Sequence, residues 1–241
     1  MRRWLPDLIA LALLPLLIAQ GKYTRRVTPR LPEAPGPNAG IAGDAESGPP
    51  MLLITLGESP VAGVGVASHQ EAITGQLAHA LRTRLNRPVA WRAYGENGVT
   101  VREALQQLVP HIAPEPIDIA LVAFGVNDTT AFHSVARWRA DLRELLAELE
   151  ARCAPRLILI SGVPPIGRFP ALPQPLRWVM GLKARALNAA ARELATGMPR
   201  VRYVALSIDT ADRTMMASDG FHPSAKACAV WAGILVEQSI K

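Results

Sequence analysis

Cysteine is nearly absent: Cys153 and Cys228 are the only two among 241 residues. Two thiols cannot build the disulfide framework that staples small secreted domains, so both read as free thiols. No cysteine–histidine cluster has zinc-finger spacing. The phosphate-cradling glycine patterns, G-x-x-x-x-G-K-[ST] and a G-x-G-x-x-G that follows a strand, are missing too. A basic face is also lacking. The net charge is +6, but residues 1–30 hold Arg2, Arg3, Lys22, Arg25, Arg26 and Arg30 against Asp7 alone. The remaining 211 residues are nearly balanced, with 20 basic and 19 acidic groups. A nucleic-acid binder carries its basic stripe through the folded domain, so nucleic acid is not an expected partner.

What is present is apolar. Hydrophobic residues make up 49% of the chain, which excludes a disordered or fibrous protein. A single core of this length buries roughly 70–75% of the unfolded surface. Residues 1–26 form a segment of their own: Met-Arg-Arg, an apolar run over 8–19, then a basic patch. The run is too short for a comfortable membrane span, which needs about 20 residues. Three readings fit it. One is a signal peptide with a small-residue cleavage site at Ala19-x-Gly21. A second is an uncleaved anchor or interfacial helix, with Lys22, Arg25 and Arg26 gripping anionic lipid. The third is a helix packed on the domain. The first makes the protein exported; the second makes it membrane-associated through residues 4–30, on either face, the cytoplasmic included. Residues 27–50 hold six prolines and four glycines, the composition of a linker or wrapped arm.

From residue 51 to 241 the pattern alternates strand and helix. Strands are predicted over 51–56, 89–94, 117–124, 157–161 and 201–206. Helices are predicted over 70–85, 101–112, 134–152, 176–195 and 224–239. Such alternation implies a parallel sheet of about five strands covered on both faces, a three-layer α/β/α sandwich. Sites in these sheets form beyond the carboxyl ends of the strands, and four groups of unusual residues fall there.

Gly57-Glu58-Ser59-Pro60 follows the first strand. Ser59 there is either a helix cap or a nucleophile. Val61 replaces the second glycine of G-x-S-x-G, which disfavours an α/β-hydrolase elbow. Gly95-Glu96-Asn97-Gly98-Val99-Thr100 follows the second strand, as a plain turn or as a backbone N–H aimed at a site. Gly125-Val126-Asn127-Asp128 follows the third, as an Asx-turn or an uncharged amide donor. Asp219-Gly220-Phe221-His222-Pro223 precedes the last helix and places a carboxylate three residues from an imidazole. Together the four supply a nucleophile, a base, an orienting acid and oxyanion donors, the parts of acyl transfer.

In this order, the four groups resemble the SGNH hydrolases, also called GDSL esterases and lipases, over residues 51–241. Glu58 stands where the family has aspartate and reads as a support for the loop. The resemblance implies a flavodoxin-like fold, with Ser59, Asp219 and His222 as catalytic residues. It also implies an oxyanion hole made by the Ser59 N–H, the Gly98 N–H and the Asn127 amide, and it needs no metal or organic cofactor. Pro60 is compatible, because the nucleophile's own N–H is used and not that of the next residue. The expected activity is hydrolysis of a small-molecule carboxylic ester, a lipid-like one among the candidates. Two alternatives are a carbohydrate O-acetylesterase or acyltransferase on the same fold, and a membrane-tethered binding module without activity.

Residues 162–178 hold five prolines. Phe169 and Leu172 within them either wall a substrate pocket or pack a rigid loop on the sheet. Arg168 and Arg177 read as solvated. Trp91, Trp138 and Trp231 read as core. His69 and His133 read as surface or capping residues. Asp141 and Glu144 read as part of a solvated helix face.

Overall fold

The computed structural model describes residues 5–44 and 48–240. Arg2 and Arg3 of the N-terminal segment lie outside them.

The apolar run Met51–Gly57 forms β2 and pairs in parallel with β3 (Val89–Gly95) on one side and β4 (Ile119–Ala123) on the other. Strands β5 (Leu157–Ser161) and β6 (Val201–Val204) continue the parallel sheet beyond β4. A sixth strand, β1 (Ala39–Ala42), runs antiparallel along β3 and gives the order β1-β3-β2-β4-β5-β6. The expected parallel sheet of about five strands is present, and the antiparallel β1 is added at its edge. It was hidden because Ala-Gly-Ile-Ala is too short to show a period. Gly40 lies flat on the Trp91 ring, where a Cβ would stand 2.7 Å from a ring carbon. The short strand covers the open edge of β3.

Helices α3 (Ile73–Leu85) and α8 (Ala225–Ser239) share one apolar core with one face of the sheet. Helices α4 (Val101–Gln107), α6 (Val135–Cys153) and α7 (Leu176–Thr196) share a second core with the other face. The helix predicted over 101–112 ends early, with Pro110 inside a separate 3-10 turn, Val109–His111. The result is an α/β/α sandwich.

The N-terminal segment forms α1 (Leu5–Ala12) and α2 (Leu14–Val27), which meet at a bend of 88°. Among the described residues, no single helix is long and apolar enough to cross a membrane. The bent pair packs on α7. Asp7 pairs with Lys183, whose side chain is 1% exposed. Gln20 accepts from the Leu176 N–H at 3.0 Å and donates to the Gln174 carbonyl at 2.6 Å. Ala10 and Leu17 join the core beneath, while Leu8, Leu11 and Leu16 face outward. From there the chain crosses the rim of the sheet. The Ala34 N–H donates to the Ala62 carbonyl, and Glu33 accepts from the Asn97 N–H at 2.7 Å.

Candidate active site

The sheet reverses its order between β2 and β4: from β2 the chain goes to β3 on one side, then to β4 on the other. A crevice opens at such a switch point, beyond the carboxyl ends of the strands. Gly57 is in register with both Gly95 and Ala123, so the three strands end level. Ser59 therefore follows one side of the crevice and Asn127 the other.

The turn holding Ser59 is made by close approach. A Cβ on Gly57 would meet Val61 at 2.5 Å and the Ala123 carbonyl at 2.7 Å. One on Gly95 would meet the Ala62 nitrogen at 2.4 Å. No residue but glycine lets β2, β3 and this turn converge. Ser59 is 8% exposed. Among the described residues, its hydroxyl has no hydrogen bond, and it lines the same narrow cavity, of about 50 Å³, as His222.

Asp219 and His222 form the tightest polar pair at the rim. The Asp219 carboxylate meets the His222 Nδ1 at 2.6 Å and accepts the backbone N–H groups of Phe221 and His222 at 2.9 and 3.0 Å. Burial alone would raise this carboxyl. The His222 ring and the two backbone donors outweigh burial and hold it below the ordinary carboxylate range. With Nδ1 occupied, the His222 Nε2 is left for proton transfer. Gly65, at φ +95°, presses on the same loop; a Cβ there would stand 3.0 Å from the Pro223 carbonyl and 3.3 Å from the His222 Cβ.

Asn127 begins the short α5 (Val126–Thr130). Its Nδ2 donates to the Val99 carbonyl at 3.0 Å, which fixes the amide. Asp128 beside it is fully buried. It accepts the Val101 N–H at 3.2 Å and meets the His133 Nδ1 at 2.9 Å. Burial pushes its carboxyl up against the pull of His133. The two residues thus tie the loop after β4 to the loop after β3. That second loop is itself stiffened: Thr100 caps α4 and exchanges hydrogen bonds with Glu103. Gly98 sits exposed at φ +90° on its tip, with Glu33 holding the neighbouring N–H.

Glu58 is buried behind the crevice and accepts the N–H groups of Val126 and Asn127, each at 2.9 Å. Burial pushes its carboxyl up to about 8, against the two backbone donors; the nearby Asp128 adds to the rise. Its oxygens hold the start of α5, and with it Asn127. Phe169 lines the narrow cavity below Ser59 and packs edge-on against Phe221 at 5.3 Å. Leu172 lines a different, larger cavity that also touches Asn127.

Several expectations change. His133 is bonded to Asp128 and is no mere surface residue. His69 is buried, and burial lowers its pKa. Asp141 is 3% exposed and takes two bonds from Arg102, so it is not part of a solvated face. Asp141 looked exposed in sequence because its partner, Arg102, lies on another helix. Glu33 was missed altogether; it sits in a proline-rich stretch with no pattern to mark it. Both cysteines are buried free thiols, and burial pushes Cys228 up to about 12. Among the described residues, no group of three or more His, Cys, Asp or Glu side chains is placed to hold a metal ion.

An open α/β sheet with a serine, a fixed amide and an aspartate–histidine pair along one rim has the parts of a hydrolase. The chain belongs to the GDSL-like lipase/acylhydrolase family, whose model matches residues 55–230. It is 26% identical, over 91% of its length and 74% of the relative's, to the GDSL-like esterase Rv1075c of Mycobacterium tuberculosis. Its fold is similar to that of AlinE4, an SGNH-hydrolase family esterase, with a TM-score of 0.57 and 24% identity over 80% of this chain and 94% of that one. It is also similar to that of Axe2, an acetylxylan esterase from Geobacillus stearothermophilus, with a TM-score of 0.54 and 16% identity over 78% and 93%.

Proposed function

We propose that the protein hydrolyses carboxylic esters through an acyl-enzyme on Ser59. One observation carries the reading: His222, held by Asp219, lines the same cavity as Ser59. His222 Nε2 takes the Ser59 proton as Oγ bonds to the ester carbonyl carbon. The carbonyl oxygen becomes an oxyanion, met by the N–H groups of Ser59 and Gly98 and by the Asn127 amide. As the carbon–oxygen bond to the alcohol breaks, His222 returns the proton to the leaving oxygen. Water then attacks the acyl-enzyme, with His222 again as base. Asp219 fixes the tautomer and stabilises the transient imidazolium. Proline at position 60 has no N–H, so the donor beside the nucleophile is the N–H of Ser59.

The outward face of α1–α2 supports a lipid-like substrate in the same proposal. Leu8, Leu11 and Leu16 are 53%, 67% and 46% exposed, and Arg26 is exposed beyond them. An apolar face with a cation beside it suits an anionic membrane surface. Co-sedimentation with anionic but not neutral vesicles tests this seat.

The esterase test is hydrolysis of p-nitrophenyl esters from acetate to palmitate, with Ser59→Ala alongside. The full chain is used, because Asp7 is the partner of buried Lys183. Activity lost in the variant is the expected result. Equal activity in both proteins would overturn the proposal, as would a folded protein with none.

A further inference from the structure

A second cavity lies beside the first. It measures about 450 Å³, and its walls include Asn127, Leu172 and Phe221. The opposite wall is one face of α2, formed by Leu17, Ile18, Gly21, Lys22, Thr24 and Arg25. These positions recur at helical spacing, so α2 turns a single stripe toward the cavity. From Leu14 to Arg25, which both line it, the helix runs about 16 Å at 1.5 Å per residue. The volume lies in the range of sites for small organic molecules.

Two observations make this space a binding site. It opens on Asn127, the amide of the proposed oxyanion hole. Lys22 and Arg25 line it, and no carboxylate does.

The direction of the substrate follows from the proton. The leaving oxygen must face His222, which lines the first cavity and not the second. The acyl arm therefore departs on the Asn127 side. Phe221 lines both cavities and divides the two paths. We infer that α2 closes an acyl subsite for an ester whose apolar arm ends in an anionic group. The arm lies between α2 and the Leu172–Phe221 wall; its charged end meets Lys22 and Arg25. This inference rests on the esterase reading of Ser59.

Gly21 provides the test. A Cβ there meets nothing within 4 Å, so Gly21→Phe fills the groove without forcing the backbone. Three substrates are compared on the full chain: p-nitrophenyl acetate, p-nitrophenyl octanoate and the mono-p-nitrophenyl ester of suberic acid. Gly21→Phe should lower the octanoate-to-acetate ratio of kcat/KM at least tenfold. The double variant Lys22→Glu, Arg25→Glu should lower the suberate-to-octanoate ratio at least tenfold. Binding of a dansyl-labelled undecanoic acid, read by fluorescence, gives the same answer without turnover: bound by the parent and lost in Gly21→Phe. Ratios within twofold of the parent, or equal dansyl binding, would overturn the subsite and leave the Ser59 chemistry standing. Hydrolysis that survives Ser59→Ala would instead remove the esterase reading, and the dansyl binding would still decide the subsite.

Discussion

The rim of the sheet and the N-terminal helical pair are specified in opposite ways. At the rim, short motifs fix their own geometry. Asp219 binds its own loop through two backbone N–H groups and then the ring of His222. Thr100 and Glu103 cap each other. Such local chemistry leaves a mark in a few consecutive residues. The N-terminal pair is placed by single contacts across the chain. Asp7 and Lys183 are 176 residues apart, and Gln20 and Leu176 are 156 apart. The lesson is that a motif announces a site, while a docked helix announces only its amphipathicity.

The sharpest test of the rim is its chemistry. If the proposed Ser59 chemistry holds, Ser59→Ala or His222→Ala should lower kcat by about 10⁶, the loss typical of serine and histidine that act as a unit. Asp219→Asn should cost about 10⁴, because the ring loses its tautomer with little change in packing. Asn127→Ala should come next, at about 10²–10³ in kcat, for one lost oxyanion donor. KM should change much less, which separates it from a folding defect. All are read by steady-state kinetics on p-nitrophenyl acetate.

The helical pair is tested by its anchor. Asp7→Ala leaves the Lys183 ammonium buried without its carboxylate. Removing one partner of a fully buried pair costs 3–5 kcal/mol. The Asp7 side chain is 38% exposed, so about 2 kcal/mol is the expected loss, measured by urea unfolding. Adding Lys183→Met should restore most of it, since the lone charge is gone. If Asp7→Ala costs nothing, the contrast drawn between the two regions fails.

A pH-dependent effect tests the join between two rim motifs. The Glu58 carboxyl stands at about 8 in the folded protein against an ordinary 4.5. Above 4.5 the unfolded chain releases this proton, and the folded chain keeps it until about 8. This group's contribution to stability therefore falls as pH rises through that window. Glu58→Gln has no proton to release. Its Tm relative to the parent should climb steadily from pH 4.5 to 8 and then level. A difference independent of pH would show that Glu58 does not titrate there.

Much of this molecule is legible in its sequence. The five parallel strands appear as apolar runs ending in glycine or polar residues, and all four motif groups fall on one rim, as the strand ends require. The strand β1 is not legible, because four residues carry no period and its place is set by the free edge of β3. Glu33 is invisible for a related reason: its partner is a backbone N–H 64 residues away. Asp141 looked solvated because the Arg102 that covers it lies on another helix. Leu172 was expected near the substrate, yet nothing in its loop shows that α2 would form the facing wall.

Gly65 touches His222 and Pro223 where no larger residue fits, and this contact has a meaning in time. Ser59 and His222 are 163 residues apart in a chain of 241. A ribosome delivers Ser59, the proposed nucleophile, long before His222, its proposed base. Until the loop ahead of α8 settles against Gly65, a growing chain holds a serine with no imidazole to activate it. On the proposed mechanism the growing chain is silent until that loop has been made, and a product truncated after Ser218 would remain so.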